Sequence, residues 1–179
     1  MRKTLIPALL LSFIIICCAC GRTASHYDMW VSFDCDENMT VTEEEGSIRA
    51  ENDSVSLLIL RRDAASYASE DASEWEKEKL DLESGAFDGN FNNTLFVYEF
   101  FKYLASEDMI ISPPSQDRIG KDGAMCFRCP FTSPDSYGEM YETIRDGVLY
   151  VIVIRISDDI SNKEKYEDTI SAFTGSIRF

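Results

Sequence analysis

The chain has 179 residues, of which 45% are hydrophobic and 27% are charged, and its formal net charge is −15 at neutral pH. This hydrophobic fraction is sufficient for a folded core and excludes a disordered acidic tail. Beyond the N-terminal segment no basic cluster is longer than Arg61-Arg62. Because an acidic surface repels phosphate groups, we expect no nucleic-acid binding and no charge-driven docking on anionic lipid headgroups.

The N-terminal segment has the composition of a secretory signal. Arg2 and Lys3 precede an apolar run over residues 5–16, and small residues and cysteines follow. This order of charged, apolar and small residues is typical of an export signal. The apolar run holds about a dozen residues, fewer than the roughly 20 that a helix needs to cross a bilayer. We therefore expect residues 1–19 to be a cleaved signal peptide and not a transmembrane helix.

The sequence CCACG at residues 17–21 resembles a lipobox, in which a small residue precedes a cysteine that receives a diacylglyceryl group before cleavage. Cys20 is the best candidate, because Ala19 precedes it and Gly21 follows it. Cys17 departs from the pattern, which usually has Leu, Val or Ile at that place. The resemblance implies a bacterial lipoprotein with acyl chains such as palmitate on Cys20, anchored at the extracytoplasmic side of the cell membrane. An ordinary signal peptide cut near this point is the alternative.

The length of the mature chain suits one domain. Removal of residues 1–19 leaves 160 residues, and the loss of Arg2 and Lys3 changes the net charge from −15 to −17. A chain of this length can bury most of its apolar surface in a single core. We expect residues 20–27 to be the lipidated cysteine with a short tether, and residues 28–179 to form a single α+β domain.

The first half of the predicted domain contains strands followed by helices. Three short strands are predicted over residues 29–33, 39–42 and 47–51. Residues 54–60 are apolar on both alternating faces, as in an inner strand. Residues 64–82 have apolar side chains near helical spacing and predict a surface helix. Residues 92–108 predict a mostly buried helix, although the aromatic residues within 87–103 could instead line a ligand groove.

The second half begins after Pro113-Pro114 with the sequence GAMCFRCPF, which alternates as a strand does. Two further runs follow, joined at Asp146-Gly147. This dipeptide suits a two-residue hairpin turn, because both turn positions need positive φ. The second run, over residues 148–156, is apolar at nearly every position and predicts a central strand of the sheet.

A C-terminal helix is predicted from its stripe and its ends. Tyr166, Ile170 and Phe173 have the spacing of one helical stripe. Ser161 and Glu164 have the spacing of a capping box, and Gly175 is placed to end the helix. We therefore expect a helix that packs its stripe on the sheet, followed by the short tail SIRF.

This order of elements predicts an α+β fold, an antiparallel β-sheet flanked by helices on both faces. A hairpin, a strand apolar on both faces and a last helix ending in FTGSIRF resemble the PsbP-type α/β/α sandwich, which exported DcrB-like lipoproteins share. The resemblance covers most of the mature chain as a pattern and contains no diagnostic motif. Because this fold hosts unrelated binding and scaffold roles, it implies no catalytic residue.

One acidic segment has the spacing of an EF-hand calcium loop. Its candidate oxygen ligands, at loop positions 1, 3, 5, 7, 9 and 12, are Asp34, Asp36, Asn38, Thr40, Thr42 and Glu45. Met39 stands where the loop needs glycine, and the flanking segments predict strands where an EF-hand has helices. The simpler interpretation is an exposed acidic turn. A calcium-stabilised envelope or adhesion protein is the alternative.

The cysteines outside the signal peptide offer a second alternative. Cys126 and Cys129 form a C-x-x-C, but no helix follows it to lower the thiol pKa, and strand alternation places the two side chains on opposite faces. With Cys35 there are three cysteines besides Cys20. We favour one disulfide from Cys35 to Cys126 or Cys129, with the third thiol buried. A thiol-redox or metal-dependent envelope enzyme using the C-x-x-C remains the alternative.

Nucleophilic catalysis has little basis in the sequence. His26 is the single histidine and falls within the predicted tether, where no scaffold could position it as a base. We therefore expect a membrane-anchored lipoprotein that is not an enzyme and needs no cofactor, unless calcium binds to the acidic segment. Its expected partners are the lipid membrane, through the acylated Cys20, and an unidentified protein or small ligand.

Overall fold

The computed structural model describes residues 23–27, 30–63 and 108–179, and these form ten strands, one 3-10 turn and one α-helix. The strands are β1 (Thr23–Tyr27), β2 (Ser32–Asp36), β3 (Thr40–Glu44), β4 (Ser47–Glu51), β5 (Val55–Asp63), β6 (Ile110–Ile111), β7 (Ser115–Ile119), β8 (Ala124–Ser133), β9 (Ser136–Arg145) and β10 (Val148–Ile156). The 3-10 turn spans Ile160–Asn162, and the helix, α1, spans Glu164–Ser176.

Eight of these strands form one antiparallel sheet in the order β3-β4-β5-β10-β9-β8-β6, and β7 also pairs with β8. The remaining two, β1 and β2, form a separate antiparallel ribbon. β10 lies between β5 and β9, which confirms the central position predicted for residues 148–156. Short hairpins join β3 to β4, β4 to β5, β8 to β9 and β9 to β10, so neighbours in sequence are neighbours in the sheet.

The β9–β10 hairpin has the predicted turn. Asp146 has a φ of 52° and Gly147 a φ of 77°, as a two-residue turn with two positive φ angles requires. Val148 lies opposite Arg145, and the pairing continues to Ile156 opposite Tyr137. The turn therefore sets the register of β9 and β10, two long strands in the middle of the sheet.

Strand alternation divides the sheet into two faces. The face that we call the α1 face carries Ile152 and Ile154 of β10, which belong to the same buried cluster as Phe173 of α1 and Phe33 of β2. The rings of Phe33 and Phe173 meet edge to face, with centroids 5.3 Å apart. The opposite face carries side chains that are also buried, among them Leu149, Val151, Val153, Met140 and Phe131.

The prediction of an antiparallel sheet combined with helix is confirmed. The one helix among the described residues, α1, packs on one face of the sheet. The helices predicted over residues 64–82 and 92–108 lie outside the described residues, apart from Asp108. Helices on both faces of the sheet therefore remain a prediction.

The prediction of a tether over residues 20–27 is wrong for its last five residues. Thr23–Tyr27 form β1, which pairs with β2 along its whole length, from Thr23 opposite Asp36 to Tyr27 opposite Ser32. The reason is the position of β2. Because β2 lies outside the main sheet, its backbone groups need other partners, and the preceding segment supplies them.

The start of α1 differs from the predicted capping box. Lys163 is the residue before the helix and makes no capping hydrogen bond through its side chain. Asp159 acts earlier, accepting a hydrogen bond of 2.8 Å from the Ser161 backbone N–H at the 3-10 turn. A capping hydrogen bond therefore forms at the 3-10 turn, and not at the start of α1 as the Ser161–Glu164 spacing predicted.

The end of α1 also differs, because Gly175 lies within the helix and Ser176 is its last residue. The Ser176 hydroxyl donates to the Phe173 carbonyl at 2.8 Å and accepts from the Asp34 backbone N–H at 2.9 Å. β2 thus holds the last turn in helical form, which the local sequence could not indicate. The predicted stripe is confirmed, since Tyr166, Ile170 and Phe173 are buried.

Candidate functional site

The three cysteines of the domain are free thiols, so the predicted disulfide from Cys35 to Cys126 or Cys129 is not formed. Cys35 and Cys126 belong to the buried cluster on the α1 face. Cys129 is buried on the opposite face, as the strand alternation predicts. The sheet therefore separates Cys129 from the other two thiols, and the C-x-x-C cannot close without distorting β8.

Burial also makes these thiols poor nucleophiles. It raises the pKa of Cys126 to about 12, with a further contribution from the nearby carboxylate of Asp117. Burial likewise raises the pKa of Cys129 to about 11, and its Sγ donates to the Ser112 carbonyl at 3.3 Å. Since the thiolate is the reactive form, the geometry gives no support to the thiol-redox alternative.

The calcium candidates lie on two strands and their turns. Asp34 and Asp36 are on β2, Thr40 and Thr42 are on β3, Asn38 is in the turn between them, and Glu45 follows β3. Asn38 accepts a hydrogen bond of 3.1 Å from the Asn52 side-chain amide, which ties two turns together. Among residues 23–27, 30–63 and 108–179, no three His, Cys, Asp or Glu side chains form a group that could hold a metal ion. Calcium therefore remains a prediction from spacing alone.

A buried polar network lies on the α1 face of β8 and β9. The side chain of Glu139 is only 8% exposed. Arg128 donates to both of its carboxylate oxygens, from Nε to Oε2 at 3.0 Å and from Nη2 to Oε1. The Tyr141 hydroxyl donates to Oε2 as well. The network forms because Glu139 and Tyr141 share one face of β9, and the register places Arg128 opposite Tyr141.

Each group in this network fixes the ionisation of the others. Burial alone would raise the pKa of Glu139, but the hydrogen bonds from Arg128 and Tyr141 outweigh it and hold the pKa below the ordinary value. Burial and the hydrogen bond to the carboxylate raise the pKa of Tyr141. The hydrogen bond to Glu139 raises the pKa of Arg128. At neutral pH the network is therefore an ion pair with a neutral phenol.

A groove of ≈ 240 Å³ lies between this network and α1. Its lining comprises Arg128, Glu139, Tyr141, Lys163, Glu167, Ile170, Ser171 and Thr174. The groove presents charges of both signs around one apolar side chain, Ile170. The carboxylate of Glu139 at its base is already paired with Arg128. It can accept a small polar ligand or one side chain of a partner, but it contains no activated nucleophile.

The sequence did not reveal this network. Arg128 attracted notice only as part of the C-x-x-C, and the alternation of Glu139 and Tyr141 is common to any strand with one polar face. The informative feature is the pairing of β8 with β9, because it brings an arginine and a glutamate that are eleven residues apart into contact. Strand register is set by the whole hairpin and not by these three residues.

A second, more polar pocket of ≈ 460 Å³ lies at the other end of the same strands. It is lined by residues of the β7–β8 and β9–β10 turns, including Arg118, Asp122, Arg145 and Asp146. Arg145 forms an ion pair with Asp122, and Arg118 donates to the Gly123 carbonyl at 2.8 Å. With two arginines and two aspartates in its lining, this pocket favours neither anions nor cations.

The N-terminal predictions concern residues outside the described ranges. Cys17, Cys18 and Cys20 precede β1, so the structure gives no geometry for the lipobox-like segment. In the part of the chain that is described, no helix has both the length and the hydropathy needed to span a bilayer.

Comparison with known proteins identifies the fold. No family model matches the chain, and no curated protein sequence does. Fourteen chains of solved structures match it. One is the solution structure of cyanobacterial PsbP (CyanoP) from Synechocystis sp. PCC 6803, which aligns over 88% of this chain and 92% of its own, with a TM-score of 0.52 and 10% identity. At this low identity the likeness concerns the fold alone. The predicted resemblance is confirmed at that level, and the chain has a PsbP-like fold.

Proposed function

We propose that this protein is a bacterial lipoprotein whose PsbP-like domain binds a protein or small ligand without catalysing a reaction. In this proposal acyl chains on Cys20 hold the domain at the extracytoplasmic side of the cell membrane. The CCACG segment at residues 17–21 supports the anchor, because Ala19 and Gly21 flank Cys20 as a lipobox requires. Several acyl chains bind a bilayer stably, where a single chain is marginal.

The short distance between Cys20 and the folded domain agrees with this anchor. Only Gly21 and Arg22 separate Cys20 from β1, which begins at Thr23. Three residue steps span at most about 11 Å. Because β1 is paired along its length with β2, an acylated Cys20 would hold the domain directly against the membrane surface.

The observation that carries the binding role is the groove above the Arg128–Glu139–Tyr141 network. General acid–base catalysis needs a group whose pKa lies near the working pH. The pKa of Glu139 is lowered, and the pKa values of Tyr141 and Arg128 are raised, so all three keep one ionisation state at neutral pH. Such a network can orient a ligand by hydrogen bonds and charge, but it does not exchange protons with one.

Substitution of the anchor cysteine tests the first half of the proposal. We expect wild-type protein and a Cys18→Ser control to incorporate radiolabelled palmitate and to remain in the membrane fraction. Cys20→Ser should incorporate none, because serine lacks the sulfur that forms the thioether. A Cys20→Ser protein that is still acylated and membrane-bound would overturn the anchor, whereas loss of labelling only in Cys18→Ser would move it to that residue.

Site-specific photo-crosslinking tests the second half. Ser171 lines the groove, and its neighbour Ala172 is exposed on α1 but is not part of the groove lining. A photoreactive amino acid at position 171 of the membrane-bound protein should form a discrete adduct in intact cells, and one at position 172 should not. Equal adducts at both positions, or none at either, would contradict binding in the groove.

A further inference from the structure

The register of the strands places the start of β1 at one end of the sheet. Thr23 pairs with Asp36 at the end of β2, and the Met39 backbone N–H donates to the Asp36 carbonyl at 3.0 Å as the chain turns into β3. The hydrogen bond between Asn52 and Asn38 ties the β4–β5 turn to the same place. We call this the anchor end: the start of β1 and β3, the β4–β5 turn, the β8–β9 turn and the end of β10.

The exposed large hydrophobic side chains of the described residues all lie at the anchor end. They are Ile110 at 72% exposure, Ile160 at 54% and Ile111 at 37%. Ile110 pairs with Thr132 beside the β8–β9 turn. Ile160 lies four residues beyond the last residue of β10, Ile156, which pairs with Val55 at the start of β5. The other end of the sheet has no large hydrophobic side chain of comparable exposure among the described residues.

The isoleucines and the start of β1 lie on different parts of this end. The start of β1 pairs with Asp36, which a short turn joins to β3. Ile160 follows the central strand β10, and Ile110 is on β6 at the far edge of the sheet. Six steps of about 4.8 Å separate β3 from β6, or roughly 29 Å. An acyl anchor at one corner leaves a domain free to pivot, whereas a second apolar contact across the end would fix its orientation.

We propose that the anchor end docks on the bilayer that holds the acyl chains of Cys20, with Ile110, Ile111 and Ile160 entering the headgroup region. The strands then stand roughly upright on the membrane, and the β7–β8 and β9–β10 turns point away from it. This inference rests on the proposed acylation of Cys20. The occupant is a lipid surface, because the two-residue link holds β1 within about 11 Å of the acylated cysteine. The link also keeps this weak contact at high effective concentration.

The charges at the anchor end determine which lipids it tolerates. Exposed carboxylates lie at the same end of the sheet as the isoleucines, namely Glu37, Asp53, Asp108, Asp135 and Asp159. Carboxylates are repelled by anionic headgroups and are tolerated by zwitterionic ones. The contact should therefore form on phosphatidylcholine and weaken on phosphatidylglycerol, which is the opposite of docking through basic residues.

A spin label at the anchor end tests this orientation. Ser161 is exposed beside Ile160, and Lys121 is exposed in the β7–β8 turn at the other end. The acylated protein, purified from membranes as Ser161→Cys or Lys121→Cys, is labelled with a nitroxide and reconstituted in phosphatidylcholine vesicles. The native thiols of the domain are buried and should remain unlabelled. On reconstitution, the accessibility of the nitroxide to a water-soluble paramagnetic agent should fall at least threefold for the label at position 161. It should stay unchanged for the label at position 121.

The isoleucines themselves are tested in the same measurement. With Ile110→Ser and Ile160→Ser added, the label at position 161 should become as accessible as the label at position 121, while the protein stays in the membrane. Replacement of phosphatidylcholine by phosphatidylglycerol should also increase the accessibility at position 161.

The outcomes separate the orientation from the anchor. A mass spectrum that shows acyl chains on Cys20, together with a label at position 161 that stays water-accessible, overturns the orientation and leaves the proposed function intact. Shielding that appears only at high protein density indicates contact with a second copy and also overturns it. A protein without acyl chains on Cys20 overturns both proposals.

Discussion

The two faces of the β8–β9 pair differ in chemistry although both are buried. On the α1 face Arg128, Glu139 and Tyr141 satisfy one another in a charged network. On the opposite face Phe131 lies across from Gly138, and the packing is apolar apart from Glu142, which is 0% exposed. Adjacent residues of β9 thus meet different environments because side chains alternate. The comparison teaches that the burial of a strand residue does not reveal which chemistry surrounds it.

The largest effect is expected on the apolar face, from Gly138→Ala. A Cβ at this position would lie 1.9 Å from the Ile154 carbonyl oxygen and 2.6 Å from Cζ of Phe131. Since backbone cannot move aside without breaking the β9–β10 pairing, we expect a loss of at least about 4 kcal/mol of unfolding free energy, measured by urea denaturation.

Gly147→Ala in the turn of the same hairpin is the matched control. No atom outside Gly147 and its two chain neighbours lies within 4 Å of a Cβ at this position, so only its positive φ of 77° opposes the substitution. We expect a loss of about 1 kcal/mol. Equal losses in the two variants would contradict the close packing of Phe131 on Gly138.

The next effect is expected on the α1 face, from Arg128→Met. The substitution leaves the carboxylate of Glu139 buried without its cation, and we expect a loss of about 3 kcal/mol in unfolding free energy. Arg128→Met combined with Glu139→Gln should be less destabilised than Arg128→Met alone, because the buried charge is then absent. A loss of less than about 1 kcal/mol in Arg128→Met alone would contradict this prediction, because it would show that water screens the charges of Arg128 and Glu139.

The same pair predicts an acid-sensitive stability. Hydrogen bonds from Arg128 and Tyr141 lower the pKa of Glu139, so its stabilisation is present above the ordinary carboxyl pKa. It is lost as the pH falls through the lowered value. Glu139→Gln should therefore show a smaller decrease in unfolding free energy below pH 4 to 5 than wild type, and identical acid profiles would contradict this assignment.

Two tyrosines of β9 provide a smaller and sharper contrast within the α1 face. The Tyr141 hydroxyl donates to the Glu139 carboxylate, whereas the buried Tyr137 hydroxyl has no hydrogen-bond partner within the described chain. We expect Tyr141→Phe to cost about 2 kcal/mol and Tyr137→Phe to cost nothing or to stabilise slightly. Thermal denaturation of the two variants side by side checks this, and a reversed order would contradict the network.

The smallest effect is expected in alkali, from the thiol of Cys126. Its pKa is raised from 9.0 to about 12, so the stabilisation by the neutral thiol is complete below pH 9 and is lost as the pH rises towards 12. At pH 10 this loss amounts to roughly 1 kcal/mol. Cys126→Ala should remove this part of the decrease in unfolding free energy between pH 8 and pH 10, measured by urea denaturation. The same decrease in the variant as in wild type would contradict the raised pKa of Cys126.

The features that the sequence predicted well are those that depend on neighbouring residues. β4 has the predicted bounds, Ser47–Glu51, and the Asp146-Gly147 turn forms as expected. The opposite placement of Cys126 and Cys129 follows from strand alternation alone. In each of these cases a local preference and the fold favour the same conformation.

The features that the sequence did not predict depend on distant partners. β1 forms because β2 lies outside the main sheet, and β6 and β7 form on either side of Pro113-Pro114 because β8 offers them an edge. The sheet also separates Cys129 of β8 from Cys35 of β2, which is a distant element. The relative position of two cysteines on distant elements cannot be deduced from their spacing in the sequence.

The sequence by itself determined the alternation of the strands, the central hairpin turn and the buried stripe of α1. Only the tertiary structure decided that Arg128 reaches Glu139 and Tyr141, and that the exposed isoleucines share one end of the sheet with the start of β1. The physical reason is the range of the interactions. Turn and stripe preferences act within a few residues, whereas strand register is chosen by contacts summed over the whole sheet.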